Sequence, residues 1–263
     1  MRQLIFILFF MSFVQQAFGA EVKILLPVTR VFGGLPGAYG SVWDSEITAV
    51  NRGAMTLRVL FNGAAPACPA PPCPFPAPVP ISPQSTVVLL AWAPVPRVVG
   101  GFATLDANGA TDLVLQTRVF DISRESTNWG AYVPTVPELA AERTVVDFPA
   151  VATAAPFRAT LRIYDFDPDS THQARVRVFR KNFIGDELIQ QKVVSLQATL
   201  DPALFPGEAE IDLSSIAPQE QTVRVQVSPI TQGLRYWPMI SVTNNTTQYL
   251  TILTPPPHAL NSP

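Results

Sequence analysis

The sequence predicts an all-β protein: two consecutive antiparallel β-sandwich modules, immunoglobulin-like, behind a signal peptide. Three observations carry this expectation. Apolar and polar residues alternate with a period of two over many short runs, as strands with one dry and one wet face require. Pro reaches 27 residues while only 14% of the chain is charged, a balance that disfavours long helices and suits short strands broken by turns. Nothing longer than one turn is amphipathic at the helical period, and the segments that could make such a turn are Pro137 to Glu142 and Pro202 to Leu204.

At the start, Arg2 precedes an apolar run from Leu4 to Val14, and small residues close it at Ala17-Phe18-Gly19-Ala20. A charged start, a short greasy core and a small-residue end describe a secretory signal peptide, so residues 1–20 are expected to be removed. The run is too short to span a bilayer comfortably and no second run of about 18 apolar residues follows, so no membrane insertion is expected. The expected location is secreted, periplasmic or extracellular.

Strands follow in order. They are readable at Val22 to Leu26, Trp43 to Val50, Leu57 to Phe61, Thr86 to Trp92 and Asp112 to Phe120. Later ones run from Phe157 to Tyr164, around Val176 and Val178, from Glu187 to Leu196, Glu208 to Leu213, Val223 to Val227, Trp237 to Val242 and Tyr249 to Leu253. The alternation is sharpest where Phe157, Ala159, Leu161 and Ile163 share one face and Arg158, Thr160 and Arg162 the other.

The chain also repeats itself. Trp43 to Val50 followed by Thr56 to Phe61 can be laid on Phe157 to Tyr164 followed by Ala174 to Phe179. Each is an aromatic-led strand, a polar turn (Asn51 to Gly53, or Asp165 to Ser170) and a strand alternating with Arg. Matching strands lie about a hundred residues apart, one sandwich length. The expected division is a first module over 21–138, carrying a Pro-rich loop at 64–83 with two Cys, a second module over 139–256 and a flexible tail at 257–263. The boundary rests on the Pro-stiffened exit Tyr132-Val-Pro-Thr-Val-Pro137.

Gly37-Ala-Tyr-Gly40-Ser-Val-Trp43-Asp-Ser45-Glu46 resembles the opening of exported bacterial tandem β-sandwich proteins of uncharacterised function, and Tyr236-Trp237-Pro-Met-Ile-Ser241-Val-Thr-Asn244-Asn245-Thr-Thr247 is similar to their closing strand and turn. Thr117 to Phe120 and Trp129 to Pro134 look like the mid-chain link of that family. The resemblance implies the architecture and supplies no catalytic or ligand residue. The Pro-rich segment departs from it.

With 18 basic against 20 acidic residues, a net charge of -2 and no basic block, nucleic acid is not favoured as a partner. Cys68 and Cys73, the two Cys of the chain, are read as a local disulfide in preference to a free or metal-binding pair, given the exported setting. Asp165, Asp167 and Asp169 alternate through a turn with a spacing that could wrap Ca²⁺, but Ser170 and Val176 stand where an EF-hand needs Gly and Glu, and a solvated turn is preferred. No Gly-x-Ser-x-Gly elbow or His-Glu-x-x-His motif is present, and a triad base would have to be His172, in a polar turn, or His258, in the tail.

No catalytic residue and no cofactor are therefore expected, and the protein reads as a non-catalytic interaction or structural module. A protein or glycan partner is expected. The alternative is a glycan or small-ligand binding module; a weaker one is a secreted hydrolase. Trp43 and Trp237 are read as core or inter-module packing. Trp129 and Tyr132, set among Asn, Gly and Pro at the junction, are the expected ligand-binding residues.

Overall fold

A computed structural model of the protein describes residues 21–29, 35–61, 78–89, 99–124 and 130–256. Residues 1–20, expected as a signal peptide, together with Cys68, Cys73, Trp92, Trp129 and residues 257–263, lie outside the described residues. Among those described, regular secondary structure is almost entirely strand. In chain order these are β1 (Glu21–Thr29), β2 (Leu35–Pro36), β3 (Val42–Asn51), β4 (Leu57–Phe61), β5 (Val79–Ile81) and β6 (Ser85–Leu89). Next come β7 (Val99–Asp106), β8 (Leu113–Asp121), β9 (Ala131–Val133), β10 (Val136–Pro137), β11 (Val146–Ala152) and β12 (Phe157–Asp165). The rest are β13 (His172–Asn182), β14 (Gly185–Leu196), β15 (Gly207–Asp212), β16 (Thr222–Pro229), β17 (Tyr236–Asn244) and β18 (Leu250–Leu253). Helix among the described residues is limited to four 3₁₀ turns and one short α-helix, α1 (Leu213–Ile216), capped by Asp212, which accepts from the N–H groups of Ser214 and Ser215.

The strands form antiparallel sheets in the orders β10-β1-β7-β4-β5, β2-β3-β8-β9 with β6 also on β3, β11-β16-β13-β14, and β15-β12-β17-β18. The connectivity recurs. Taken in order, β1 and β3 to β9 pair as β11 to β18 do: first with sixth, sixth with third and third with fourth in one sheet, then fifth with second, second with seventh and seventh with eighth in the other. The strands aligned by sequence, β3 with β12 and β4 with β13, are the second and third of each series.

Against an immunoglobulin constant domain, the second-with-fifth and third-with-sixth pairs are shared. The first and seventh strands have exchanged sheets, and the fourth joins the third.

Burial follows the alternation. Leu161, Ile163, Val176, Val178, Val223, Val225 and Val227 enter one core, and Ile47, Ala49, Val59, Phe61, Ile81 and Ala103 another. Each large aliphatic side chain so buried contributes about 1.5 to 3 kcal/mol. A third and a fourth cluster join residues 24–137 to 141–252: Leu25, Phe102 and Val136 pack with Tyr164 and Phe166, and Val28 and Val133 with Met239. The Tyr164 hydroxyl donates to Pro27 O at 2.5 Å, and Phe102 N–H donates to Leu204 O at 2.8 Å. Approach is so close at Gly100 that a Cβ would lie 2.7 Å from the Tyr164 ring.

Two sequence expectations need correction. The end of the Pro-rich segment is no loop, because Val79–Ile81 pairs with β4, Arg58 opposite Pro80. A Pro is tolerated there since β5 is an edge strand, where a missing N–H leaves no ladder bond unmade. The segment from Glu208 to Leu213 stops being strand at Asp212, whose side chain turns the chain into α1.

Candidate functional site

Strand β12 builds one wall of a cleft. Its inward row, Ala159, Leu161 and Ile163, is fully buried, which by alternation sends Arg158, Thr160 and Arg162 to the opposite face. Register then fills that face. Thr160 lies between Asp212 and Ser241, Arg162 between Glu210 and Met239, and Arg158 beside Thr243. Beyond these, Ser241 and Thr243 face Ile252 and Leu250 on β18. The surface thus grades from ionic at β15, through a row of hydroxyls, to apolar at β18.

Opposite it stands the open end of the β2-β3-β8-β9 sheet. Trp43 and Val119 belong to the same inward rows as Ile47 and Leu115, but lie where the core runs out and the rows meet the cleft. Val28, Leu35, Pro36 and Val133 complete this apolar wall, and the cleft, open to solvent on one side, has a volume of about 390 Å3. One step deeper, the buried hydroxyls of Ser45 and Thr117 have no hydrogen-bond partner among the described residues.

Trp43 is held from two sides. A Cβ at Gly37 would lie 2.7 Å from the indole Cδ1 and Nε1, so the turn can close on the ring only with glycine there. Asp121, buried at the end of β8, accepts from Val42 N–H at 2.9 Å and from the Ser123 hydroxyl at 2.6 Å. Burial alone would raise its pKa, but the hydrogen bonds from Ser123 and Val42, with Arg124 alongside, hold it below the usual value.

The two cleft arginines differ. Arg162 is committed: its guanidinium pairs with Glu210 at 3.0 Å and donates to Ser241 Oγ at 3.1 Å. Arg158, half-buried, has no hydrogen-bond or ion-pair partner among the described residues.

Of the residues singled out in the sequence, Tyr132 lies opposite Arg118 on β9, half exposed, on the face turned away from Val133 and the cleft. Trp129 lies outside the described residues. Trp237 is half-buried between the two clusters that join the sheets. The three turn aspartates do not converge. Asp167 is clamped by Arg235, whose Nε donates to Oδ2 at 2.8 Å while Nη1 reaches Glu138 at 2.6 Å, and these bonds hold Asp167 below the usual carboxylate range. Asp169 is exposed. Among the described residues no group of three or more His, Cys, Asp or Glu is placed to hold a metal ion.

Asp165 takes a different role. Fully buried, it meets His172 Nδ1 at 2.6 Å, and His172 Nε2 lies 3.1 Å from Ser170 Oγ. Burial raises the Asp165 pKa, against the bonds from Asp167 N–H and His172. With Nδ1 protonated, Nε2 accepts from Ser170, and the chain of atoms matches nucleophile, base and orienting carboxylate. None of the three lines the cleft. The sequence reading placed His172 and Asp165 in one turn without joining them; the seven-residue spacing across a connection between sheets was the available signal.

No protein-family model matches the chain, and no curated protein matches it. Among solved structures it is similar to a chain described as "Structure of infectious bursal disease virus Gx strain", at 10% identity over 93% of this chain and 70% of that one, with a TM-score of 0.19. A likeness so slight bears on neither fold nor function.

Proposed function

We propose that this is an exported, non-catalytic binding protein of two β-sandwich modules, 21–138 and 139–256, which takes a small ligand in the cleft between them. The recurring strand connectivity supports the two modules, and the pattern of residues 1–20 supports export. One observation carries the ligand reading: the outward face of a sheet, which ordinarily meets water, here faces an apolar wall containing Trp43 across a space of about 390 Å3. Concave, mostly apolar sites with a few placed polar groups are where small molecules bind. Thermal-shift screening of the purified protein against small organic ligands, repeated on Ser241→Phe, tests it, since a ligand of the native state raises the midpoint. Hits that stabilise the wild type and lose their effect in Ser241→Phe are expected. Equal stabilisation of both would place binding elsewhere.

A second reading, a hydrolase, is favoured by Ser170, His172 and Asp165 alone. A fluorophosphonate probe decides between the two. Labelling of the wild type that disappears in Ser170→Ala would favour hydrolysis, and no labelling is expected.

A further inference from the structure

We infer that the cleft ligand is an amphipathic organic anion, an apolar body carrying one carboxylate, with Arg158 as its counter-ion. The inference rests on the small-ligand reading above and names the class of ligand.

Arginine cannot shed its proton in a protein, so a half-buried guanidinium holds its charge whatever surrounds it. Such groups are normally paired, as Arg162 is with Glu210 and Arg235 with Asp167. Arg158 lines the cleft opposite Thr243 and pairs with none of the described acids: of the two carboxylates on the same wall, Glu210 is taken by Arg162, and Asp212, diagonal to Arg158 across β12 and β15, caps α1. An unpaired cation on the wall of a cleft is a site for an anion, and the planar fork suits a carboxylate held by two parallel bonds. The remaining lining limits what the anion can be attached to. The hydroxyls of Thr160, Ser241 and Thr243 stand next to Arg158, where the polar end would lie, while Val119, Val133 and Ile252 surround the rest. A neutral polyol would leave most of its hydroxyls facing aliphatic side chains, where unmade hydrogen bonds cost the most. An apolar chain or ring would not.

Isothermal titration of the purified protein with sodium octanoate and with 1-octanol tests this, the two probes sharing a chain and differing in charge. Octanoate is expected to bind about tenfold or more tightly than the alcohol. Arg158→Gln should bring octanoate to the level of the alcohol, and Arg158→Lys should keep most of the preference. Because Arg158 makes no pair among the described residues, both variants should melt with the wild type; should the Gln variant not fold, the Lys variant and the two-probe comparison still decide. Octanoate and octanol binding alike, with Arg158→Gln unchanged and Ser241→Phe binding neither, would overturn the anion while leaving the cleft as the site. Neither probe binding, with a neutral oligosaccharide binding instead, would overturn the anion. Binding that survives Ser241→Phe would overturn the cleft itself.

Discussion

Four backbone groups converge on the side chain of Asn51. Fully buried, its Nδ2 donates to the carbonyls of Met55, Ile81 and Ser82 at 2.8 to 3.1 Å, and its Oδ1 accepts from Gly53 N–H at 2.9 Å. One amide thereby closes the β3–β4 turn and ties it to the end of β5. Asn51→Ala would strand buried polar groups, and a loss of about 3 kcal/mol is expected in urea denaturation. Charge at single residues sets the acid limb of stability. Asp121 and Asp167 have folded pKa values below the ordinary one, so the unfolded chain binds protons first as pH falls. Their stabilisation is complete above about pH 4 and is lost as pH drops through the lower folded values. Asp165, raised by burial, acts the other way: its contribution is fullest below the ordinary value and is lost as pH rises through the folded one. Urea midpoints followed between about pH 2 and pH 5 should fall with acid, and Asp121→Asn should flatten the fall.

Among the elements, β9 depends on how it is entered. Gly130 has φ 89°, and a Cβ there would lie 2.1 Å from Val119 O. Only glycine allows the strand to approach β8 this closely, and Val133 reaches the cleft because it does. Gly130→Ala should therefore cost about 2 kcal/mol or more and weaken ligand binding with it. The β13–β14 hairpin shows the opposite economy. Phe183 and Ile184 occupy its tip, a place for small turn-forming residues, and both are fully exposed. Since neither touches the core, Phe183→Asp with Ile184→Asn should change stability by less than about 0.5 kcal/mol in thermal melts.

At the scale of the whole molecule, the proposed modules are bound to each other by aromatic side chains. Leu25, Phe102 and Val136 pack against Tyr164 and Phe166, with the Tyr164 hydroxyl bonded to Pro27 O. Leu139, almost fully exposed in the link, offers a protease an accessible site. Limited proteolysis should cut between Val136 and Val146 and leave fragments that co-elute on size exclusion in native buffer and part only in denaturant. Fragments that separate while folded would mean that the junction clusters contribute little to holding them. The cleft needs both sides of this junction, so separated fragments would also lose the ligand.

The all-β class and most strands could be read from the sequence, because alternation with period two is a local property. β3 on β12 and β4 on β13 could be matched for the same reason. The strands that escaped notice are short or edge elements, Leu35–Pro36, Val79–Ile81 and Val136–Pro137 among them, or the glycine-led β7, where two or three residues carry no period and Gly100-Gly101 interrupts one. Alternation also says which side chains leave the core, but not what they meet. Arg58 on β4 and Arg158 on β12 sit in the same kind of pattern; the first is exposed to water and the second lines a cleft. That difference was decided only when sheets distant in sequence packed together, because the environment of an outward-facing residue is set by whatever covers the strand and not by the strand itself.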